Sequence, residues 1–184
     1  MYQTVSSRFR TSHLTLLLGG IVLFAAATAL SARVTIPLPF TPVPITLQVI
    51  VVLLAGLVLG PIAGAASQLA YLTAIAAGLP LDANALGPAA LAGPTAGYLV
   101  GFVPAAFLAG WLAERLPARR GSRFLAALAS LAIIYLVGAA WLARYAGGVR
   151  AAWMLGVTPF ILVDLGKALV AAAVAESGRL LLRR

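Results

Sequence analysis

The sequence lacks several of the groups on which enzymes and metal sites depend. Its 184 residues contain no cysteine and one histidine, His13. Disulfides, zinc–thiolate sites, cysteine nucleophiles and multi-histidine metal sites are therefore excluded. A G-x-x-x-x-G-K-[ST] segment is also absent, so the chain does not bind ATP through a P-loop. We expect no metal and no cofactor, and the shortage of catalytic groups argues against an enzyme.

Charge is scarce as well. Only 9% of the residues are charged, 13 basic and 4 acidic, where a soluble domain carries about 25%. So few charges cannot cover a protein of this length in water, and 62% of the residues are hydrophobic with a mean hydropathy of +1.05. The composition predicts an integral membrane protein. The arginines lie between apolar runs rather than in a basic stripe, which argues against nucleic acid as a partner.

Six apolar runs approach the length of a membrane span, which is roughly 20 residues. They are continuous and lack the alternation of barrel strands, so an all-α bundle is expected. Prolines and glycines separate them, and Gly60-Pro61 makes the second and third runs a tight helical hairpin. The first run resembles a signal peptide, but it is read as a retained span because the rest is equally apolar. The sequence predicts a six-transmembrane-helix bundle, one integral membrane domain over residues 1–184, with spans at 14–31, 45–59, 62–78, 95–112, 124–142 and 152–175.

The arginines also predict the orientation of the bundle in the plasma membrane. Six spans place both termini on one side, and arginine-rich loops face the cytoplasm. Nine arginines fall on the side of the termini and three on the other. We therefore expect both termini in the cytoplasm and the Pro/Gly-rich connections outside. The nine are Arg8, Arg10, Arg115, Arg119, Arg120, Arg123, Arg179, Arg183 and Arg184; the three are Arg33, Arg144 and Arg150.

Two charged residues stand near the middle of the sixth run. Asp164 and Lys167, the only lysine of the chain, are three residues apart and share one face of a helix. A charge at this depth costs about 2.5–3.5 kcal/mol, so such residues face the protein interior and pair or meet a ligand. A self-neutralising structural pair is one interpretation. The preferred interpretation is a ligand or ion site, in which Lys167 would anchor a carboxylate and Asp164 would accept hydrogen bonds.

Other polar and aromatic residues are candidates for the same site. Asn84, in the long connection after the third run, suits a ureido or amide ligand because its amide both donates and accepts; an ordinary turn residue is an equal alternative. Tyr98 would supply an aromatic wall. Gln48 is read first as a partner in a helix-to-helix hydrogen bond and second as a ligand contact.

Small residues make one side of the first span thin. Ala25 and Ala29 stand four residues apart on that side. Such a surface lets another helix approach closely in lipid. Packing inside the bundle and docking of a separate membrane subunit both require it, so the sequence leaves the two open. The oligomeric state, including a homo-oligomer, is also left open.

Three segments together resemble the BioY family. They are IPLPFTPVPITLQ at 36–48, GPTAGYLVGF at 93–102, and the D-x-x-K formed by Asp164 and Lys167. BioY proteins are biotin-uptake proteins, the substrate-binding S components of energy-coupling-factor (ECF) transporters. The chain departs from the family in one region, where DANALGPAALAGP has alanines in place of a glycine-rich loop.

The resemblance implies a function and partners. It implies a six-helix bundle that binds biotin near the outer side, under external loops, with Asp164, Lys167 and Asn84 as contacts. It also implies docking on a transmembrane coupling protein driven by two ATPase subunits, through the surface that holds Ala25 and Ala29. Some family members are thought to act without dedicated partners. The rival functions are an S component for another vitamin such as thiamine or riboflavin, a membrane enzyme, and a structural or channel protein.

Overall fold

The computed structural model describes residues 3–117, 119 and 121–182, with side chains described within these ranges from residue 14 to residue 179. Seven α-helices and two short strands fill this part of the chain. In order they are α1 (Gln3–Ala32), β1 (Thr35–Ile36), β2 (Ile45–Thr46), α2 (Gln48–Leu59), α3 (Pro61–Ala76), α4 (Ala96–Arg115), α5 (Ser122–Leu142), α6 (Val149–Gly156) and α7 (Ile161–Leu182), with a 3-10 helix at Gly87–Leu91 between α3 and α4.

The helices differ in whether they are long enough to cross a bilayer. Among the described residues, three are long and apolar enough alone: Leu14–Ala32 of α1, α4 and α5. The pair α6 and α7 forms a fourth span if its two helices count as one. At 12 residues, α2 is about 18 Å long, well below the roughly 30 Å of a hydrocarbon core. The predicted all-α membrane protein is confirmed, while the number of six spans stays a prediction.

The predicted sixth span is not one continuous helix. In the structure α6 ends at Gly156, α7 begins at Ile161, and the two axes differ by 58°. Pro159 lies in the break, where a proline ring and its missing N–H prevent a regular helix. The prediction of an unbroken helix over 152–175 was wrong. Asp164 accordingly lies in the first turn of α7 rather than in the middle of a long helix.

The connection between α1 and α2 contains a small antiparallel hairpin that the sequence did not predict. Thr35 pairs with Thr46 and Ile36 with Ile45. Its four prolines were expected to end helices, and they lie in the loop between the strands. The hairpin brings the chain back to the start of α2. We call this side of the bundle the hairpin end.

Helix α4 packs against α2, α3 and α5, and glycines make these approaches close. A Cβ atom at Gly97 of α4 would lie 2.8 Å from the carbonyl oxygen of Val137 in α5. A Cβ atom at Gly56 of α2 would overlap the carbonyl oxygen of Ala106 in α4. Because lipid removes the hydrophobic drive between helices, such close backbone packing is how they associate.

The described arginines lie at two opposite ends of the bundle. At the hairpin end, Arg33 after α1 donates a hydrogen bond to the carbonyl of Pro80 in the α3–α4 connection. At the other end, Arg123 at the start of α5 donates to the carbonyl of Ala175 in α7 at 2.6 Å and lies 3.4 Å from the Glu176 carboxylate. This segregation matches the predicted two sides, and which side faces the cytoplasm stays a prediction. The hairpin end holds Arg33, Arg144 and Arg150, and the opposite end holds Arg115, Arg119, Arg123 and Arg179.

Candidate functional site

A cavity at the hairpin end collects residues from six parts of the chain. The space between its walls, including the open mouth, is about 660 Å³. The β2–α2 junction, the α3–α4 connection, helices α4 and α5, the end of α6 and helix α7 all contribute. Its lining is Val43, Pro44, Ile45, Thr46, Gln48, Val49, Asp82, Ala83, Asn84, Thr95, Tyr98, Leu99, Phe102, Ile134, Tyr135, Gly156, Phe160, Asp164 and Lys167.

Asp164 and Lys167 form a buried ion pair in this cavity. The Lys167 Nζ atom lies 2.6 Å from the Asp164 Oδ1 atom, and the two residues are only 7% and 4% exposed. The spacing of three residues therefore produces the contact it permits. A lysine ammonium carries three donors, and Asp164 is its one hydrogen-bond partner among the described residues. Two N–H groups are thus available to a ligand.

Tyr135 is a member of this cluster that the sequence did not identify. Its hydroxyl, on α5, donates a hydrogen bond to the second carboxylate oxygen of Asp164 at 2.8 Å. The carboxylate is therefore held by a cation from its own helix and a hydroxyl from the neighbouring one. The available signal was a tyrosine inside an apolar run, since a buried tyrosine hydroxyl usually finds a partner. Nothing in the sequence says which partner.

Gln48 lines the cavity at the start of α2, and its side-chain amide makes a hydrogen bond to a neighbouring helix. The Nε2 group donates to the Tyr71 hydroxyl of α3 at 2.8 Å, and Gln48 is 3% exposed. The Tyr71 hydroxyl in turn donates to the Leu81 carbonyl at 3.3 Å. This is the helix-to-helix hydrogen bond that the sequence indicated. It ties α2, α3 and the α3–α4 connection together beside the cavity.

Asp82 and Asn84 have different roles in the α3–α4 connection. Asp82 is 3% exposed, and its carboxylate accepts hydrogen bonds from the backbone N–H groups of Asn84, at 3.0 Å, and Gly87, at 2.8 Å. Asp82 therefore shapes the turn. Asn84 lines the cavity with an exposed side chain, and that side chain has no hydrogen-bond partner among the described residues. Ala85 has a φ of +56°, a left-handed conformation that favours glycine.

Tyr98 lines the cavity, and its contact with a ligand stays a prediction. Its hydroxyl donates to the carbonyl of Gly156 at 2.8 Å, and the residue is 8% exposed. Gly156 is the last residue of α6. The Tyr98 hydrogen bond therefore ties α4 to the end of α6, at the break between α6 and α7. A Cβ atom at Gly156 would overlap the tyrosine hydroxyl, which explains why a glycine is needed there.

The two small residues of α1 lie in different surroundings. Ala29 is buried in the hydrophobic core at 9% exposure, and Ala25 is half-buried against it. Helix α1 packs on α2 and α3. Ala29 thus takes part in packing within the bundle, the first of the two alternatives, and is not on an open surface. A docking role for this pair stays a prediction.

The cavity combines apolar walls with a few placed polar groups. Phe102, Ile134 and Phe160 supply apolar surface in the cavity that the charged pair and Asn84 also line. An ammonium with spare donors suits a negatively charged or carbonyl oxygen. A free amide suits a group that both donates and accepts. The arrangement fits a small, largely apolar ligand with polar groups at separated positions.

This helical membrane protein is similar to several known proteins. The BioY family model matches residues 5–184. A protein of Pyrococcus horikoshii described as a probable biotin transporter BioY is 43% identical over 157 residues, 85% of this chain and 91% of that protein. The biotin transporter BioY of Thermotoga maritima is 42% identical over 155 residues, 83% of this chain and 89% of that protein.

A solved structure agrees in fold. The crystal structure at 2.1 Å of the S-component for biotin from an ECF-type ABC transporter superposes with a TM-score of 0.84 at 26% sequence identity. The match covers 91% of this chain and 93% of that one. The chain belongs to the BioY family.

Proposed function

We propose that this chain is a transport protein that binds biotin in the cavity at the hairpin end, as the S component of an ECF-type transporter. The observation that carries the proposal is the buried Asp164–Lys167 pair in an otherwise apolar cavity, in a chain that is 43% identical to a probable biotin transporter. Biotin has an apolar bicyclic ring and tail with a ureido group at one end and a carboxylate at the other. Its chemistry is the kind that this cavity suits.

Three side chains would supply the polar contacts. Lys167 has two donors to spare for an oxygen of biotin, and Asp164 accepts from N–H groups. Asn84 offers a donor and an acceptor at the mouth. Tyr98 would flank the ligand with its ring. Gln48 would contact the ligand through its remaining surface, since its Nε2 group already bonds Tyr71.

Six membrane crossings with both termini in the cytoplasm form part of the proposal. The described arginines separate between two ends of the bundle. The nine-to-three division of all arginines in the sequence supports placing the end with the termini inside. The short α2 and α3 would cross as a tight hairpin, and α6 with α7 as one broken span. The cavity would then open to the outside, where biotin is taken up.

Energy for import would come from partners. The chain has no P-loop, so a transmembrane coupling protein and two ATPase subunits would drive transport, with the α1 side around Ala25 as the docking region. Uptake of radiolabelled biotin should be measured in cells that express this chain alone and with coupling subunits. Uptake that rises with the partners supports the coupled mechanism, and equal uptake without them contradicts it.

Ligand identity can be tested on the purified protein. A ligand that binds only the folded state stabilises it by about 2.7 kcal/mol at 100 times its Kd. Thermal unfolding in detergent should therefore shift upward with biotin and stay unchanged with thiamine or riboflavin. A shift with either of these vitamins and none with biotin would overturn the assignment.

A further inference from the structure

We propose that Tyr135 is a positioning residue of the ligand site, whose hydroxyl holds the Asp164 carboxylate so that Lys167 is available to the ligand. The inference rests on the function proposed above and adds to it a residue that acts through Asp164. It comes from the contacts of three side chains on two helices.

The geometry gives each carboxylate oxygen of Asp164 its own donor. Tyr135 Oη donates to Oδ2 at 2.8 Å, and Lys167 Nζ donates to Oδ1 at 2.6 Å. Asp164 and Lys167 come from α7, whereas Tyr135 comes from α5, which packs beside it. A carboxylate held from two helices has a fixed orientation, and its direction no longer depends on the lysine alone.

The charges of Asp164 and Lys167 explain why the Tyr135 hydrogen bond matters for ligand binding. Lys167 is the cation that compensates Asp164, which is 4% exposed. A ligand oxygen that takes N–H groups of Lys167 weakens that compensation, and a buried charge without partners is strongly unfavourable. Tyr135 keeps one hydrogen bond on Asp164 throughout. Lys167 can then be shared between Asp164 and the ligand.

The other tyrosine that lines the cavity provides a matched comparison. The Tyr98 hydroxyl donates to the backbone carbonyl of Gly156, not to a charged side chain. Both tyrosines line the same cavity. Removal of either hydroxyl changes one hydrogen bond, but only the Tyr135 hydroxyl acts on the ion pair.

A double-mutant cycle tests the inference. Biotin Kd should be measured in detergent for the wild type, Tyr135→Phe, Asp164→Asn and the double variant, with thermal unfolding as a check that each is folded. Tyr135→Phe should weaken binding about tenfold, because biotin would then compete with Asp164 for the one remaining partner of its carboxylate. In the Asp164→Asn background the same change should have an effect below about twofold, because the charged acceptor is gone. Tyr98→Phe, the control, should have the same effect in both backgrounds.

The outcomes separate this inference from the proposed function. Wild-type affinity in Tyr135→Phe overturns the inference and leaves the proposed function standing. An equal loss in both Asp164 backgrounds also overturns it, because Tyr135 would then touch the ligand directly. A wild-type protein that does not bind biotin overturns the proposed function, and the inference with it.

Discussion

The cavity contains two polar regions that are built in opposite ways. In the helix region, formed by Tyr135, Asp164 and Lys167, charged side chains are fixed to one another between α5 and α7. In the loop region, formed by residues 82–87, the Asp82 carboxylate is bonded to backbone N–H groups, and the Asn84 amide is left open. Both regions hold a buried carboxylate, which is paired with a lysine on the helices and with backbone N–H groups in the loop. The Asn84 amide is on an exposed side chain of the loop.

This comparison predicts that the helix region contributes most to binding. Lys167→Ala and Asp164→Asn should each weaken biotin binding by about 10- to 100-fold, the value of one or more hydrogen bonds to a charged group. Lys167→Ala should also lower the thermal midpoint, since breaking a buried pair costs about 3–5 kcal/mol. The control is Asp164→Asn combined with Lys167→Met, which removes both charges. It should recover stability but not affinity, and near-normal binding in either single variant would refute the site.

Asp82→Ala should have the next largest effect, through the shape of the loop. The change removes the acceptor of two backbone N–H groups, which should loosen residues 83–87 and weaken biotin binding about fivefold to tenfold. Hydrogen exchange at the Asn84 and Gly87 amides should become faster while exchange in α7 stays unchanged. Glu114→Gln, at the far end of α4, is the control and should alter neither. Unchanged exchange in Asp82→Ala would mean that the carboxylate does not hold the loop.

Asn84→Ala should have a smaller effect confined to binding. One neutral hydrogen bond is worth about 1 kcal/mol, so Kd should rise about fivefold. The thermal midpoint of the ligand-free protein should not move, because the side chain has no partner among the described residues. Asn84→Asp keeps an acceptor and loses the donors, so it shows which half of the amide matters. Full affinity in both variants would remove Asn84 from the site.

Ala85→Gly should have the smallest effect, and it should be stabilising. A left-handed conformation costs an alanine about 1–2 kcal/mol, part of which glycine loses again to backbone entropy. A gain of about 0.5 kcal/mol in unfolding free energy follows. Ala83→Gly, at a residue without positive φ, should be neutral or destabilising. If both variants behave alike in thermal unfolding, the backbone at residue 85 is not strained.

The sequence could predict the features that depend on local pattern. Continuous apolar runs identify the helices because lipid demands them. The spacing of Asp164 and Lys167 places them on one face because of helix geometry alone. The amides of Gln48 and Asn84 were expected to need partners or a ligand, and both line the cavity.

Other features depend on contacts between distant parts of the chain. Tyr135 and Asp164 are 29 residues apart, and only the packing of α5 on α7 brings them together. The two-residue strands are too short to show an alternating pattern. Pro159 indicates a break before α7. Because its neighbours are apolar, the whole stretch was predicted as one continuous span.

The most direct measurement is equilibrium binding of radiolabelled biotin to the purified full-length chain in detergent, beside the Lys167→Ala variant at the same protein concentration. We expect saturable binding of one biotin per chain in the wild type and a Kd at least about tenfold higher in the variant. No saturable binding by a folded wild type, or equal binding by both proteins, would contradict the claim that the ion pair of α7 is the centre of a biotin site.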